Sequence, residues 1–293
     1  MAVWEGIREA IAATGTPFRL AARHSVGGGC INAAWVIEGE GQRYFVKINE
    51  AASLPMFEAE AEGLRELARA GAIRVPEPVC SGVADGSAFL VLEHLSLGHG
   101  GARAAARLGE QLAQLHRVTA PQFGWKRANA IGATLQVNDW TGDWVAFWRR
   151  HRLGFQLDLA ARKGCPARLR DEGERLLEIF PRFFQGYAPA PSLLHGDLWS
   201  GNAHYDENSM PVVFDPAVYY GDREADLAMT ELFGGFPPDF HAAYRREWPL
   251  DPGYAVRRTF YNLYHILNHF NLFGGGYLAQ AQRMIATLLA EAC

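Results

Sequence analysis

The sequence predicts an α+β chain in two lobes. A small N-terminal lobe, residues 1–95, is built on an antiparallel sheet, and a larger, mainly helical C-terminal lobe covers 96–293. Three observations predict it. Short alternating apolar runs, separated by glycine-bearing turns, crowd into residues 18–92 as strands joined by hairpins do. From residue 101 onward the apolar residues recur at helical spacing instead. Among those helices lies a polar stretch, 195–226, whose short apolar run at 211–214 delivers Asp215.

Composition narrows the class. The 293 residues are 49% apolar and 20% charged, ordinary values for a folded globular protein. A formal net charge of −4 and the lack of any basic block argue against nucleic acid or an acidic membrane surface as partner. No stretch approaches the ~18 uninterrupted apolar residues of a membrane span, and the first residues lack a signal-peptide core. The four cysteines, Cys30, Cys80, Cys165 and Cys293, form no CxxC pair. Zinc is therefore not expected, and a reduced, cytoplasmic protein is.

Taken in order, residues 1–14 read as an amphipathic helix with Val3, Trp4, Ile7, Ala10 and Ile11 on one face. Strands follow at 18–26, 33–37 and 44–48. The first pair is joined by Gly27, Gly28, Gly29, Cys30, Ile31 and Asn32, the second by Gly39-Glu40-Gly41-Gln42. A glycine run between antiparallel strands lets backbone N–H groups approach phosphate oxygens, though it also suits a plain flexible hairpin. Alternation puts Lys47 on the opposite face from Val46 and Ile48. The helix at 57–71 turns Phe57, Leu64, Leu67 and Ala68 inward and stops at Gly71. Glu58, Glu60 and Glu62 are all available to pair with Lys47; Glu60, four residues before Leu64, borders the apolar face and is preferred. Strands at 79–83 and 88–92 flank an Asp85-Gly86 turn. They lead to Glu93, His94 and Leu95, whose backbone stands where a nucleotide's adenine edge would be read.

The remainder is helical at 101–118, 140–163, 166–184, 223–233, 237–246, 253–273 and 277–291, with an irregular segment at 123–140. His116, ending the first of these, reads as a packed or capping histidine. His265 and His269 are four apart but lack the intervening glutamate of a zinc motif, so they read as core or pocket-wall residues.

The chemistry concentrates in 195–226. His195-Gly196-Asp197 is followed five residues later by Asn202, and Asp215 comes just beyond the next strand. Protein kinases use the same order of types: one carboxylate takes the proton of the attacking hydroxyl, and an amide oxygen and a second carboxylate hold Mg²⁺ against the phosphates. Asp226, early in the following helix, suits a bond to the backbone of the catalytic loop or simple stabilisation by the helix N-terminus.

These residues resemble the fructosamine kinase, or ketosamine 3-kinase, family. That family lies within the aminoglycoside-phosphotransferase and choline-kinase branch of the protein-kinase-like fold. The segments SVGGGCIN, FVKIN, MFEAEAEGL, VPEPV, FLVLEHL, LHGDLWSGN, FDPAVYYGDREADLAM and YNLYHILNHFNLFG carry the resemblance, from about residue 24 to 276. HGD with a downstream Asn is shared with aminoglycoside kinases; HGDLWSGN together with FDPAVYYGDREADLAM is much narrower. The resemblance implies ATP- and Mg²⁺-dependent phosphorylation of the sugar 3-hydroxyl of a ketosamine, on a small glycated amine or a glycated protein, which promotes deglycation. It implies Asp197 as proton acceptor, Asn202 and Asp215 as metal ligands, Lys47 on phosphates, and a phosphate loop from Gly27 to Asn32.

His195 and Trp199 are the candidate substrate contacts; Trp199 suits either stacking on the substrate or a place in the core. The rivals are a kinase for another hydroxylated amine, aminoglycoside- or choline-like, and a nucleotide-binding regulatory module. Cys30 is a redox candidate, since backbone N–H groups that attract phosphate also favour a thiolate. The expected state is accordingly a monomer or a redox-linked homodimer.

Overall fold

The computed structural model describes residues 2–27 and 31–291. Helix α1 (Ala2–Ala13) lies on the outer face of a five-stranded antiparallel sheet of order β1-β2-β3-β5-β4: β1 (Ala22–Val26), β2 (Ala33–Gly39), β3 (Gln42–Glu50), β4 (Pro78–Ala84) and β5 (Ser87–Glu93). Ile7 and Ile11 of α1 pack against Phe18, which precedes β1, and against Ile37, Val46, Phe89 and Val91, outward residues of the alternating strands. Gly6 allows the close approach: a Cβ there would lie 2.4 Å from that of Ala84.

The opposite face carries Lys47, Leu90 and Leu92 inward, toward α2 (Leu54–Ala70). Phe57, Leu64 and Leu67 of α2 are buried as expected, and Gly71 ends the helix in the left-handed conformation with φ 64°. Three expectations need correction here. Helix α2 begins three residues early, helped by a proline in its first turn, and Ala68 is exposed while Ala59, Ala61 and Gly63 are buried. The first strand is also shorter than 18–26. Arg19 crosses β2 too tightly for a regular start, its carbonyl oxygen only 1.9 Å from where Gly39 would carry a Cβ.

Beyond Glu93 the chain leaves this sheet. β6 (Leu97–Gly98) pairs with β10 (Ala203–Asp206), which pairs in turn with β11 (Pro211–Val213). Helix α3 (Ala102–His116) follows β6. The segment read as irregular contains a small hairpin, β7 (Asn129–Ile131) and β8 (Thr134–Gln136). The expected helix at 140–163 starts instead at α4 (Trp144–Trp148), where the Asp143 carboxylate caps the Ala146 N–H at 2.6 Å. It passes through a π-turn, Arg149–Leu153, into α5 (Gly154–Arg162). The next, α6 (Ala167–Ile179), ends in a 3₁₀ turn, Phe180–Phe184, that contains Pro181.

Strand β9 (Ser192–Leu194) pairs with β12 (Tyr219–Gly221). The last helices are α7 (Arg223–Thr230), shorter than expected, then α8 (Pro238–Glu247), α9 (Tyr254–Phe273) and α10 (Tyr277–Glu291). Phe260 and Tyr261 of α9 meet Trp148 and Phe180 in an aromatic centre; Phe180 and Phe260 stack at 4.4 Å. No described helix is long and apolar enough to cross a membrane.

Candidate active site

The loop between β9 and β10 carries the HGD sequence, and a buried carboxylate shapes it. Asp226, in the first turn of α7, accepts the His195 N–H at Oδ2 (2.7 Å) and the Gly196 N–H at Oδ1 (2.8 Å). Gly196 has φ 83°, and a Cβ there would come within 2.0 Å of the Ala217 carbonyl oxygen, so only glycine fits. The grip fixes the backbone immediately before Asp197. Burial opposes the Asp226 charge, but hydrogen bonding to His116 and Gly196 holds its pKa below the usual value.

His195 is corrected by the structure. Its ring is fully buried, donates through Nε2 to the Phe214 carbonyl (3.1 Å) and accepts the Asp197 N–H at Nδ1 (3.3 Å). Burial lowers its pKa, and no face is left for a substrate. Trp199 is 37% exposed, with its ring over Gly201, which excludes the core alternative.

Asp197 faces Asn202, whose Nδ2 donates to the Asp197 carbonyl (2.9 Å) and to its carboxylate Oδ2 (3.2 Å). With the amide nitrogen so committed, Oδ1 is the atom Asn202 offers to a cation. Burial, then the charge of Asp215, raises Asp197 to about 7, against the pull of the Asn202 bond. Asp215 follows β11 at φ 58°, a left-handed conformation that an aspartate tolerates at a cost.

Lys47 is 5% exposed and lies between two carboxylates, with Nζ 2.6 Å from Glu60 and 2.6 Å from Asp215. Burial works against its charge, but Asp215 and Glu60 outweigh that and raise its pKa. Of the three candidate glutamates the structure therefore selects Glu60; Glu62 pairs instead with Lys126 and Arg127, and Glu58 with Arg127. The Asp215 side chain remains 45% exposed, so the carboxylate that anchors Lys47 also opens to solvent.

Around this centre the structure places the other expected residues. Asn32 and Ile31 are tied to β3, since Asn49 Nδ2 donates to Asn32 Oδ1 (2.7 Å) and to the Ile31 carbonyl (3.3 Å). Gly27 is described, whereas Gly28, Gly29 and Cys30 lie outside the described residues. Burial pushes the Cys80 thiol up to about 11. The Glu93 N–H donates to the Glu77 carbonyl, and its carboxylate binds Arg74 and the Glu77 N–H. His94 and Leu95 are half-buried beside it.

A supporting layer was not anticipated. Gln136 Nε2 donates to the Ala217 carbonyl (3.1 Å) and Asn129 Nδ2 to that of Val218 (2.8 Å), so the β7–β8 hairpin holds the segment after Asp215. Its one sequence cue is the density of Asn and Gln in 129–138. His265 is buried with its pKa lowered to about 3, and His269 bonds the His265 carbonyl, as core residues would. Among the described residues no group of three or more His, Cys, Asp or Glu forms a metal cluster.

Comparison with known proteins places the chain in a family. The family model for fructosamine kinase matches residues 3–291. The chain is 49% identical to a Synechocystis protein named “Probable ketoamine kinase”, over 98% of this chain and 97% of that one. It is 40% identical to a chloroplastic protein-ribulosamine 3-kinase of Oryza sativa, over 95% of this chain and 82% of the relative. A crystal structure from Haemophilus somnus, bearing a provisional fructosamine-3-kinase name, superposes with TM-score 0.90 at 32% identity, covering 98% of this chain and 97% of the other. The aminoglycoside phosphotransferase APH(4)-Ia shares the fold alone, with TM-score 0.68 at 14% identity over 99% of this chain and 98% of its own. The chain belongs to the fructosamine kinase family and is an enzyme of the phosphotransferase class.

Proposed function

We propose that the chain transfers the γ-phosphoryl group of ATP to the sugar 3-hydroxyl of a ketosamine, and so promotes deglycation of glycated amines. The observation that carries this reading is the constellation of Asp197, Asn202, Asp215 and Lys47, two carboxylates, one amide and one cation, with Lys47 and Asn202 buried and Asp215 open to solvent. Such a set suits phosphoryl transfer, where positioning and charge neutralisation do most of the catalysis. ATP lies between the lobe of residues 1–95 and the lobe of 96–293, with its adenine at the backbone of 93–95.

Asp197 accepts the proton of the sugar hydroxyl as its oxygen attacks. Lys47, already held by Glu60, turns toward the phosphates. Asn202 Oδ1 and the exposed side of Asp215 fit Mg²⁺, a hard cation that takes few protein oxygens and completes its shell with phosphates and water. When bound, the metal neutralises phosphate charge. Trp199 stacks on the sugar or its amine substituent.

The test is ATP consumption across fructosyl-, ribulosyl- and erythrulosyl-lysine, with kanamycin and choline as controls. Turnover confined to the ketosamines is expected. Turnover of kanamycin or choline instead favours the rival kinases, and nucleotide binding without transfer favours a regulatory module. The five-carbon ribulosamine is expected to give a higher kcat/KM than the fructosamine, in keeping with the name of the rice relative. Equal values or a fructosamine preference would reject that part.

A further inference from the structure

Arg74, in the link between α2 and β4, touches three strands of two sheets. Its neighbours Ile73 and Val75 are buried, and its own side chain turns outward. Its carbonyl accepts the Val213 N–H of β11 at 3.0 Å. Its guanidinium forks: Nη2 donates to Glu93 Oε1 at 2.6 Å and Nη1 to Asp206 Oδ2 at 3.3 Å. Glu93 is the last residue of β5, and Asp206 the last of β10.

Both carboxylates are tied to backbone as well. Glu93 Oε2 accepts the Glu77 N–H at 3.2 Å, while the Glu93 N–H donates to the Glu77 carbonyl at 2.8 Å. Asp206 Oδ1 accepts the N–H groups of Asn208 and Met210, both at 2.9 Å, and so closes the turn from β10 to β11. The Met210 N–H, with that of Asn208 and Arg74 behind it, outweighs burial and holds the Asp206 carboxyl below its ordinary value. Asp206 therefore stays ionised toward the guanidinium, whose planar fork can serve two separate carboxylates at once.

The fork completes a frame around the segment that follows β5. Strand β6 pairs with β10, Leu97 opposite Asp206 and Gly98 opposite Tyr205. Residues 94–96 thus form an arch with one foot, 97–98, bonded directly to β10. Its other foot, Glu93, reaches the same strand through Arg74. Strand β10 begins directly after Asn202, and β11 ends two residues before Asp215. We propose that Arg74 is a positioning residue for the nucleotide: by bridging Glu93 to Asp206 it fixes the arch of 94–96 against the hairpin that carries Asn202 and Asp215. The span between adenine and the metal-facing atoms is then set before ATP arrives. The proposal rests on ATP lying with its adenine at 93–95. Ion pairs this exposed add little to stability, so their effect falls on binding: without the bridge, the nucleotide itself must order the arch.

Two substitutions cut the bridge from opposite ends. Arg74→Met keeps an apolar stem and the backbone bond to Val213 but removes the fork. Asp206→Asn keeps Oδ1 for the turn and presents an amide N–H₂, a donor, to a guanidinium that cannot accept. Each should raise the dissociation constant for ADP and the KM for ATP by roughly 5- to 30-fold, the equivalent of ordering about one backbone residue. At saturating ATP, kcat should stay near wild type, and the KM for ketosamine should be little changed. The double variant should bind ADP no more weakly than Arg74→Met, because both changes remove one link. Amide hydrogen exchange at 93–96, read without nucleotide, should be faster in both variants than in the wild type.

Wild-type ADP affinity in folded Arg74→Met overturns the proposal. So does wild-type affinity in Asp206→Asn, which would leave the link to β10 without effect, and that variant decides if Arg74→Met fails to fold. Additive losses in the double variant, or a fall in kcat with the KM for ATP unchanged, do the same. ADP binding by the wild-type chain is measured first. Its absence counts against the proposed function, whereas exchange at 93–96 reads the arch independently of it, and unchanged exchange in both variants overturns the proposal by itself.

Discussion

At the scale of single residues, the environment of Asp197 makes the proposed chemistry depend on pH. Burial and the Asp215 charge raise its carboxyl to about 7, so in the free enzyme it is about half protonated there. Only the ionised form accepts a proton. The acid limb of kcat/KM, which reports the free enzyme, should therefore fall through about pH 7 as pH decreases. A cation at Asn202 and Asp215 offsets the charge that raised the pKa, so the limb in kcat, which reports the loaded enzyme, should lie at lower pH. Profiles from about pH 5 to 9 check both; superimposed limbs would contradict the electrostatic account. Asp197→Asn should lower kcat by ~10²–10⁴-fold while nucleotide still binds, and near-wild-type turnover in a folded variant would exclude Asp197 as the base. Asp215→Ala and Asn202→Ala should each raise the Mg²⁺ concentration needed for half-maximal activity at fixed ATP; unchanged dependence in both would remove the metal assignment.

At the scale of elements, the site depends on a hairpin that touches none of the reacting groups. Gln136 and Asn129 bond the carbonyls of Ala217 and Val218 in a buried setting. Replacing Gln136 with Leu leaves a carbonyl unpaired, at a cost of about 1–3 kcal/mol, and loosens the segment that presents Asp215. Gln136→Leu should therefore lower both the melting temperature and kcat, whereas a change on the exposed Leu135 of β8 should alter neither. A fall in melting temperature with kcat intact would confine the hairpin to a structural role.

The same hairpin shows where sequence reading stops. Its strands are three residues long, too short for alternation to register, and two of their inward residues, Asn129 and Gln136, are polar because they serve backbone carbonyls. Lys47 and Glu60 were legible, because a strand period of two and a helix period of 3.6 each place one charged residue at an apolar border. His195 was misjudged because its motif position gives no sign that its ring would turn toward the Phe214 carbonyl. Ala68 was misplaced because helical phase alone does not tell how far the covering sheet extends over α2.

At the scale of the whole molecule, the two lobes share a core although the strands divide cleanly between sheets. One apolar cluster runs from Phe57 and Leu64 of α2, through Leu90 and Leu92 of the sheet, to Leu112, Phe260 and Leu288 of the helical part. A second, smaller cluster, with Ile7 and Ile11 of α1, covers only the outer face of the sheet. The ion pair from the buried Lys47 of β3 to Asp215 crosses the same boundary. Lobes joined in this way should unfold together, because opening the boundary strands a buried charge as well as apolar surface. Leu64 is fully buried at the shared face, so Leu64→Ala should cost about 2–5 kcal/mol and lower a single calorimetric transition without splitting it. Ile11→Ala, in the outer cluster, should cost a comparable amount but leave kcat near wild type, since α1 stands on the far side of the sheet from Lys47. A separate low-temperature transition in Leu64→Ala, with the remainder melting as in the wild type, would show that the small lobe unfolds on its own and that the shared core does not couple the two.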